Sequence, residues 1–153
     1  MTAHVHQLAV SHGGVPKLPV REVLVHELGL AGDKQKHTKI HGGPNRAVCL
    51  YSLEHIHALQ AEGHAITPGS TGENVTVAGL DRTSLVAGLR LTLGDDVILV
   101  LTSPTEPCKQ IASSFVERKF RRIDVKQHPG WSRWYARVER GGLVRVGDVI
   151  RVA

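Results

Sequence analysis

The chain has only two cysteines, few aromatic residues and no long apolar run, and each shortage excludes a class of protein. Two cysteines, Cys49 and Cys108, are too few for a disulfide framework. They do not form a C-x-x-C pair, so a structural zinc site is not expected. No two glycines are separated by one residue and there is no Walker-type loop, so the usual fingerprints of nucleotide binding are absent. The N-terminus lacks the pattern of a secretory signal, and no segment is long enough to span a bilayer. We therefore expect a cytoplasmic protein that has no membrane partner.

What the sequence does contain favours β structure. Hydrophobic residues make up 41% of the 153 residues and aromatics only 4%, while 16 glycines and 7 prolines indicate many turns between short strands. The length suits one domain covering 1–153. Short strands joined by turns predict a mostly β fold with a few helices, arranged as a closed or nearly closed barrel that hides its edges. The net charge of +5 favours an anionic partner.

Alternating apolar residues and turn residues place strands along most of the chain. We expect strands at 3–10 and 20–28, which could pair as a hairpin, and a buried strand at 47–52. Two later stretches, 88–100 and 142–152, each run strand, Gly-Asp turn, strand. Because this turn chemistry is typical of two-stranded ribbons, both stretches are predicted to form hairpins.

Two helices and one long loop are predicted between these strands. Ser52 can cap a helix that ends at Gly63. A second helix begins near Cys108 and carries three apolar side chains toward the core: Ile111, Phe115 and Val116. The polar, glycine-rich stretch 29–46 has no periodicity, and an ordered loop of this length in a compact domain is more often functional than accidental.

Cys108 lies between a buried strand and the predicted start of the second helix. Backbone N–H groups and the positive end of that helix would stabilise a thiolate, and the adjacent Lys109 could add to this effect. The thiol would then be a reactive group or a metal ligand. The alternative is a buried cysteine that fills a small apolar gap. Cys49, inside the apolar segment AVCLY, is predicted to be a core residue.

The segment HGGPNR contains a candidate anion site. Backbone N–H groups at Gly42 and Gly43, together with His41 and the guanidinium of Arg46, could converge on a phosphate or a carboxylate. The alternative is a tight surface turn, because Gly-Gly turns are frequent. We favour the binding interpretation for this segment.

Two further segments carry polar groups that suit a heterocyclic or anionic ligand. In TGEN, Glu73 and Asn74 offer a carboxylate and an amide that could hydrogen-bond the edge of a polar heterocycle, although Asn74 could equally cap or shape the turn. In PGWSRWYARV, Arg133 and Arg137 are interleaved with aromatic residues. This segment could stack on a ligand and pair with its charge, or it could be a barrel strand with one face buried.

Five motifs in order resemble the molybdenum cofactor sulfurase C-terminal domain family, known as MOSC. They are GDKQ at 32–35, HGGPNRAV at 41–48, GSTGENV at 69–75, PC at 107–108 and GWSRWYARV at 130–138. Together they cover most of the chain with similar gaps. The sequence is most similar to the short bacterial members linked to resistance against hydroxylaminopurine bases.

The resemblance implies a mostly β, barrel-like domain that binds a molybdenum cofactor of the molybdopterin type. Cys108 would be the protein ligand to molybdenum, Arg46 and the amides of Gly42 and Gly43 would hold the phosphate, and Asn74 would meet the pterin edge or the oxo groups. The other candidate cofactor-binding residues are His41, Glu73, Lys109, Arg133 and Arg137. A thiolate suits this soft metal, and basic groups suit the cofactor's phosphate. Pyridoxal phosphate binding is a further possibility at the level of the family.

The implied activity is the reduction of small N-hydroxylated compounds with electrons from a separate electron-transfer protein. Two alternatives stay open. The same pocket could carry sulfur, as a persulfide on Cys108, or the cofactor itself for delivery to another enzyme. The basic surface could also belong to a nucleic-acid-binding β-barrel module, but no segment resembles a known single-strand binding motif, so nucleic acid is not an expected partner. The sequence leaves the oligomeric state open.

Overall fold

The structure is a computed structural model that describes residues 2–34 and 43–153. Short strands dominate it, as the many turn residues predict. The strands are β1 His4–Val10, β2 Leu18–Val20, β3 Glu22–His26, β4 Gly29–Leu30, β5 Val48–Ser52, β6 Val75–Ala78, β7 Arg90–Leu93, β8 Val97–Thr105, β9 Arg133–Arg140, β10 Gly142–Arg145 and β11 Ile150–Val152. The helix α1 spans Leu53–Ala61, and short 3-10 helices span Pro44–Arg46, Arg82–Ser84, Lys109–Ser114, Val116–Arg118 and Phe120–Ile123.

The strands form one large sheet and one small sheet. The large sheet has the order β11-β7-β8-β9-β5-β6-β1-β2 and is antiparallel except for the β5–β6 pair, and the small sheet has the order β10-β3-β4. The large sheet curls until β1 meets the chain just before β11, where Val5 N donates to Asp148 O at 2.9 Å and Gly147 N donates to Val5 O at 2.8 Å. The mostly β fold is confirmed, although strand pairing gives two sheets rather than one closed barrel.

Of the three predicted hairpins, only the one at 88–100 forms, where β7 pairs with β8. The stretch 142–152 folds into β10 and β11, but β10 pairs with β3 and β11 pairs with β7. The reason is that the turn between β10 and β11 bonds to β1 instead of closing a ribbon. Likewise β1 pairs with β2, while β3 belongs to the small sheet, so the hairpin proposed between 3–10 and 20–28 was wrong.

Two hydrophobic clusters form the core. The larger one lies on the inner faces of the two sheets, and the smaller one packs α1 against the 3-10 helices that follow Cys108. As predicted, Ser52 caps α1, its Oγ accepting a hydrogen bond from the His55 backbone N–H at 3.4 Å. No helix among the described residues is long and apolar enough to cross a membrane.

The predicted second helix does begin next to Cys108, but it is a series of short 3-10 turns. Phe115 has an extended backbone that separates the first of these turns from the second. Ile111 and Phe115 are buried as predicted, whereas Val116 is 42% exposed. Its predicted place in the core was wrong, because the break at Phe115 turns the chain outward.

Candidate functional site

Six segments that are separate in sequence meet around a pocket of about 70 Å³. Strands β5 and β9 supply its floor, and the segments before β2, after Gly69 and after Pro107 supply its walls. The side chains that bear on its chemistry are Lys17, Lys34, Cys49, Cys108, Arg133 and Tyr135. The pocket therefore contains both cysteines of the chain and three cationic groups.

Cys108 is the half-buried thiol of this pocket. It precedes the 3-10 helix Lys109–Ser114 with an extended backbone, and its carbonyl accepts the Ile111 N–H at 3.1 Å. Because that helix has only six residues of 3-10 geometry, its dipole gives a thiolate less support than the sequence suggested. Lys109 is exposed and does not line the pocket. The cationic side chains that do line the pocket with Cys108 are Lys17, Lys34 and Arg133.

Cys49 is the second thiol of the pocket, and it is 7% exposed. Its Sγ lies 3.9 Å from Thr105 Oγ1, and burial raises the pKa of its thiol. It stays protonated at neutral pH and behaves as the core residue that the apolar segment predicted. What the sequence did not indicate is that Cys49 faces the same cavity as Cys108.

Arg133 places a buried positive charge at the pocket. It is 6% exposed, its Nη1 donates to the carbonyl of Thr71, and its Nη2 donates to the carbonyl of Glu106 at 3.4 Å. Its Nε is buried and has no hydrogen-bond partner within the described part of the chain, nor does any described carboxylate form an ion pair with it. A buried guanidinium in this state is costly unless an anion joins it. The buried Glu73 carboxylate interacts electrostatically with Arg133 but does not pair with its Nε, so the pocket still offers this N–H to a negatively charged ligand group.

Glu73 is fully buried and does not line the pocket. Its carboxylate accepts hydrogen bonds from Thr71 Oγ1 at 3.2 and 3.3 Å, and burial raises its pKa. We expected from the sequence that Glu73 would contact a ligand, but the structure places it where it cannot reach the pocket. It fixes Thr71 instead, and Thr71 in turn holds Arg133 through its carbonyl.

Asn74 lines the pocket, but its polar atoms are engaged within the protein. Its Oδ1 accepts the Cys49 N–H at 3.0 Å, and its Nδ2 donates to Asp33 Oδ2 at 2.9 Å and to the Ala9 carbonyl at 3.3 Å. Asp33 also accepts two hydrogen bonds from Lys17 Nζ, at 2.6 and 2.8 Å. This buried network holds the pocket floor. The sequence pattern indicated no role for Asp33 or Lys17, although Asp33 lies in the GDKQ motif.

Arg46 does not line the pocket, but its guanidinium carbon lies 5.7 Å from the ring centroid of Tyr135, which does. It ends the short helix Pro44–Arg46, which Gly43 precedes with a backbone that favours glycine (φ 93°). Burial raises the pKa of Tyr135 to about 12, so its phenol is protonated at neutral pH. His41 and Gly42 lie outside the described residues.

Arg137, the second candidate cofactor-binding residue in strand β9, does not line the pocket. Its side chain is 44% exposed, and its Nη2 lies 3.9 Å from Glu139 Oε1. Of the two arginines that the sequence proposed in this strand, only Arg133 faces the cavity.

The sequence model of the MOSC domain matches residues 37–151. The chain belongs to the MOSC domain family. It is 31% identical to the uncharacterized protein YflK of Bacillus subtilis over 136 residues, which cover 88% of this chain and 60% of YflK. It is 33% identical to the protein YiiM of Escherichia coli over 98 residues, covering 61% of this chain and 43% of YiiM. A third relative, named reductase, from Gibberella moniliformis, is 29% identical over 126 residues, which are 22% of its length.

The MOSC chain thus spans less than two thirds of the length of these relatives. Its fold matches the crystal structure of YiiM from Escherichia coli with a TM-score of 0.74 and 24% identity, covering the whole of this chain and 70% of YiiM. It matches the YUAD protein of Bacillus subtilis with a TM-score of 0.76 and 23% identity, covering 99% of this chain and 96% of that protein. These likenesses establish the MOSC fold of the chain.

The MOSC family is associated with molybdenum cofactor binding, and the pocket residues fit such a group. A thiol is a soft ligand that suits molybdenum, and the unpartnered Nε of Arg133 suits an anionic group of the cofactor. Among the described residues no set of three or more His, Cys, Asp or Glu side chains could hold a bare metal ion. A metal at this site would therefore depend on ligands that the cofactor itself brings.

Proposed function

We propose that this MOSC domain holds a molybdenum cofactor through Cys108 and reduces small N-hydroxylated compounds. The observation that carries the proposal is the meeting of a half-buried thiol with a buried, incompletely paired guanidinium in one pocket. Arg133 would hold an anionic group of the cofactor, and Lys34 and Arg46 would add positive charge around the opening. The bound cofactor would supply the two-electron redox chemistry.

The proposed reaction breaks the N–O bond of a hydroxylamine or an amidoxime. Two electrons and two protons convert R–NHOH into R–NH2 and water, and the oxygen leaves in the water molecule. The phenol of Tyr135 lines the pocket and is protonated at neutral pH, because burial raises its pKa to about 12, so it would donate a hydrogen bond that orients the leaving oxygen. A small one-electron carrier protein would supply the electrons in two visits, since the chain has no nucleotide fingerprint of its own.

The two pocket thiols give a matched test of the catalytic assignment. The wild-type domain, Cys108→Ala and Cys49→Ala would be produced in a host that makes the cofactor, and their reduction of an N-hydroxylated purine would be followed with reduced methyl viologen as electron donor. We expect the Cys108 variant to lose at least about a hundredfold in rate, because the ligand of the redox centre is gone. The Cys49 variant should keep most of the activity, since its buried thiol is protonated.

Equal rates in the wild type and the Cys108 variant would contradict the proposal. A wild-type protein that shows no turnover, but carries a persulfide on Cys108 by mass spectrometry, would replace the reductase with the sulfur carrier. Circular dichroism of all three proteins separates either result from a loss of folding.

A further inference from the structure

A second concave surface lies where the 3-10 helices after Cys108 meet the end of α1, and its volume is about 520 Å³. We call it the basic groove. The side chains that define it are His64, Arg118, Lys119, Arg121, Arg122 and His128. It contains four of the 19 lysines and arginines of the chain in five consecutive positions, so positive charge is concentrated here.

Two of these arginines have no acidic partner. Among the described residues Arg118 and Arg121 form no ion pair and are exposed. Arg122, by contrast, is held by Glu62 through hydrogen bonds of 2.9 and 2.8 Å and lies 4.1 Å from the centroid of the Trp131 ring. Arg122 is therefore part of the framework, while Arg118 and Arg121 are available to a partner.

The backbone presents these charges to solvent. Glu117 and Arg118 both have left-handed backbone conformations, with φ of 52° and 60°. Such conformations are uncommon for residues other than glycine and cost free energy. They lie in the short helix Val116–Arg118 and distort it just before the next 3-10 helix begins at Phe120.

The aromatic rings near the groove do not offer free faces for stacking bases. Trp131 is covered by Arg122 and by His55, whose ring centroid lies 4.7 Å away. Phe120 packs against the smaller hydrophobic cluster and carries Arg121 at 5.5 Å. Nucleic-acid grooves that bind single strands combine positive charge with open aromatic platforms. Because the groove has positive charge but no open aromatic platform, an acidic protein surface is the better-matched partner.

The basic groove is linked to the pocket through a single run of short helices. The helix Lys109–Ser114 begins at Cys108, and the helix Phe120–Ile123, which carries groove residues, packs against it. Six residues of 3-10 helix span only about 12 Å. The groove residues thus lie on the same run of short helices that starts beside the pocket thiol.

We propose that the basic groove docks the acidic face of the one-electron carrier that feeds the pocket, an inference that rests on the proposed function. Two reduced carrier molecules, one N-hydroxylated substrate and two protons give two oxidised carriers, the amine and water. Each carrier gives up one electron and leaves. Transient complexes of this kind are small and depend on charge complementarity, which speeds association and weakens with salt.

The test reverses the charge of two arginines in the groove and compares this variant with one in which two arginines elsewhere on the surface are reversed. The groove variant is Arg118→Glu/Arg121→Glu, and the control is Arg21→Glu/Arg151→Glu, which lowers the net charge equally at exposed positions between β2 and β3 and in β11. The probe is an acidic plant-type [2Fe–2S] ferredoxin reduced by NADPH and its reductase. Ferredoxin binding is measured by titration calorimetry at low and high salt, and reduction of an N-hydroxylated purine is measured with ferredoxin or with methyl viologen.

We expect the groove variant to lose at least about tenfold in ferredoxin-driven kcat/KM at low salt and to keep its viologen-driven rate, while the control keeps both. Equal losses in the two variants, no ferredoxin binding by the wild type, or tighter binding of a single-stranded oligonucleotide at the groove would overturn the docking proposal. A wild type that binds ferredoxin through the groove but reduces nothing with viologen would contradict the proposed function alone.

Discussion

At the scale of single residues, His55 shows how burial fixes the charge state of a side chain. Its ring stacks on Tyr51 with centroids 5.3 Å apart and contacts Trp131, and it is 3% exposed. Burial, reinforced by the nearby positive charge of Arg82, lowers its pKa to about 4. The folded protein therefore holds a neutral imidazole at pH values where an unfolded chain would bind a proton.

This difference predicts a loss of stability in acid. Between pH 6.5 and 4 the unfolded state binds the proton and the folded state does not, so stability falls as the pH falls through this window. His55→Phe keeps a ring against Tyr51 but cannot titrate. Urea unfolding at several pH values should show a shallower decline for His55→Phe than for the wild type. His57→Gln, at an exposed position of the same helix, should leave the slope unchanged, and an identical decline in all three proteins would contradict the assignment.

Residue types in the motifs were predictable from sequence, whereas their individual roles were not. The sequence indicated Cys108 because a thiol next to a strand end and a helix start is unusual. The sequence could not separate Arg133 from Arg137, because residues four apart lie on the same face of a strand. Only the curvature and packing of the sheet decide that Arg133 reaches the cavity and Arg137 does not. Glu73 and Asn74 looked like ligand contacts, but Glu73 bonds to its neighbour Thr71 and Asn74 bonds to the sequence-distant Asp33, so both support the pocket.

At the scale of secondary-structure elements, Asp33 joins three parts of the chain at the pocket floor. Its carboxylate is 2% exposed and accepts hydrogen bonds from the Ser11 N–H after β1, from Lys17 before β2 and from Asn74 before β6. A buried ion pair that loses one partner leaves the other charge uncompensated. This cluster therefore couples the stability of the fold to the shape of the pocket.

Asp33→Asn should lower the free energy of unfolding by about 3 to 5 kcal/mol, because Lys17 would stay buried without its counter-ion. Urea denaturation measures the change. Lys17→Met/Asp33→Asn should recover much of the loss by removing the unpaired charge. Glu139→Gln breaks the exposed pair with Arg90 and should shift the unfolding midpoint far less. An Asp33 variant as stable as Glu139→Gln would show that the buried network does not hold the floor.

Local patterns predicted elements well and their pairing poorly. The helix α1 followed from its cap and its periodicity, and the ribbon at 88–100 followed from its turn. The similar stretch 142–152 does not close on itself, because the backbone of its turn bonds to β1 at the other end of the chain. Such a contact between sequence-distant strands leaves no local signal.

At the scale of the whole molecule, two positively charged sites have different properties. The pocket has a buried guanidinium and a thiol, which suit a tightly held anionic group. The basic groove has exposed arginines, which suit a weak and salt-sensitive partner. Net charge predicted an anionic partner, and it could not indicate where on the molecule such a partner would bind.

The central claim is that Cys108 is the protein ligand that retains molybdenum in the pocket. Elemental analysis of protein purified from a host that makes the cofactor tests it most directly, with Cys108→Ala and Cys49→Ala measured beside the wild type. We expect the wild type and the Cys49 variant to hold similar amounts of molybdenum and the Cys108 variant to hold at least about tenfold less, since even outer-shell partners of a metal are worth about 10- to 100-fold in affinity. Equal molybdenum in the wild type and in Cys108→Ala, or a loss confined to Cys49→Ala, would contradict the account.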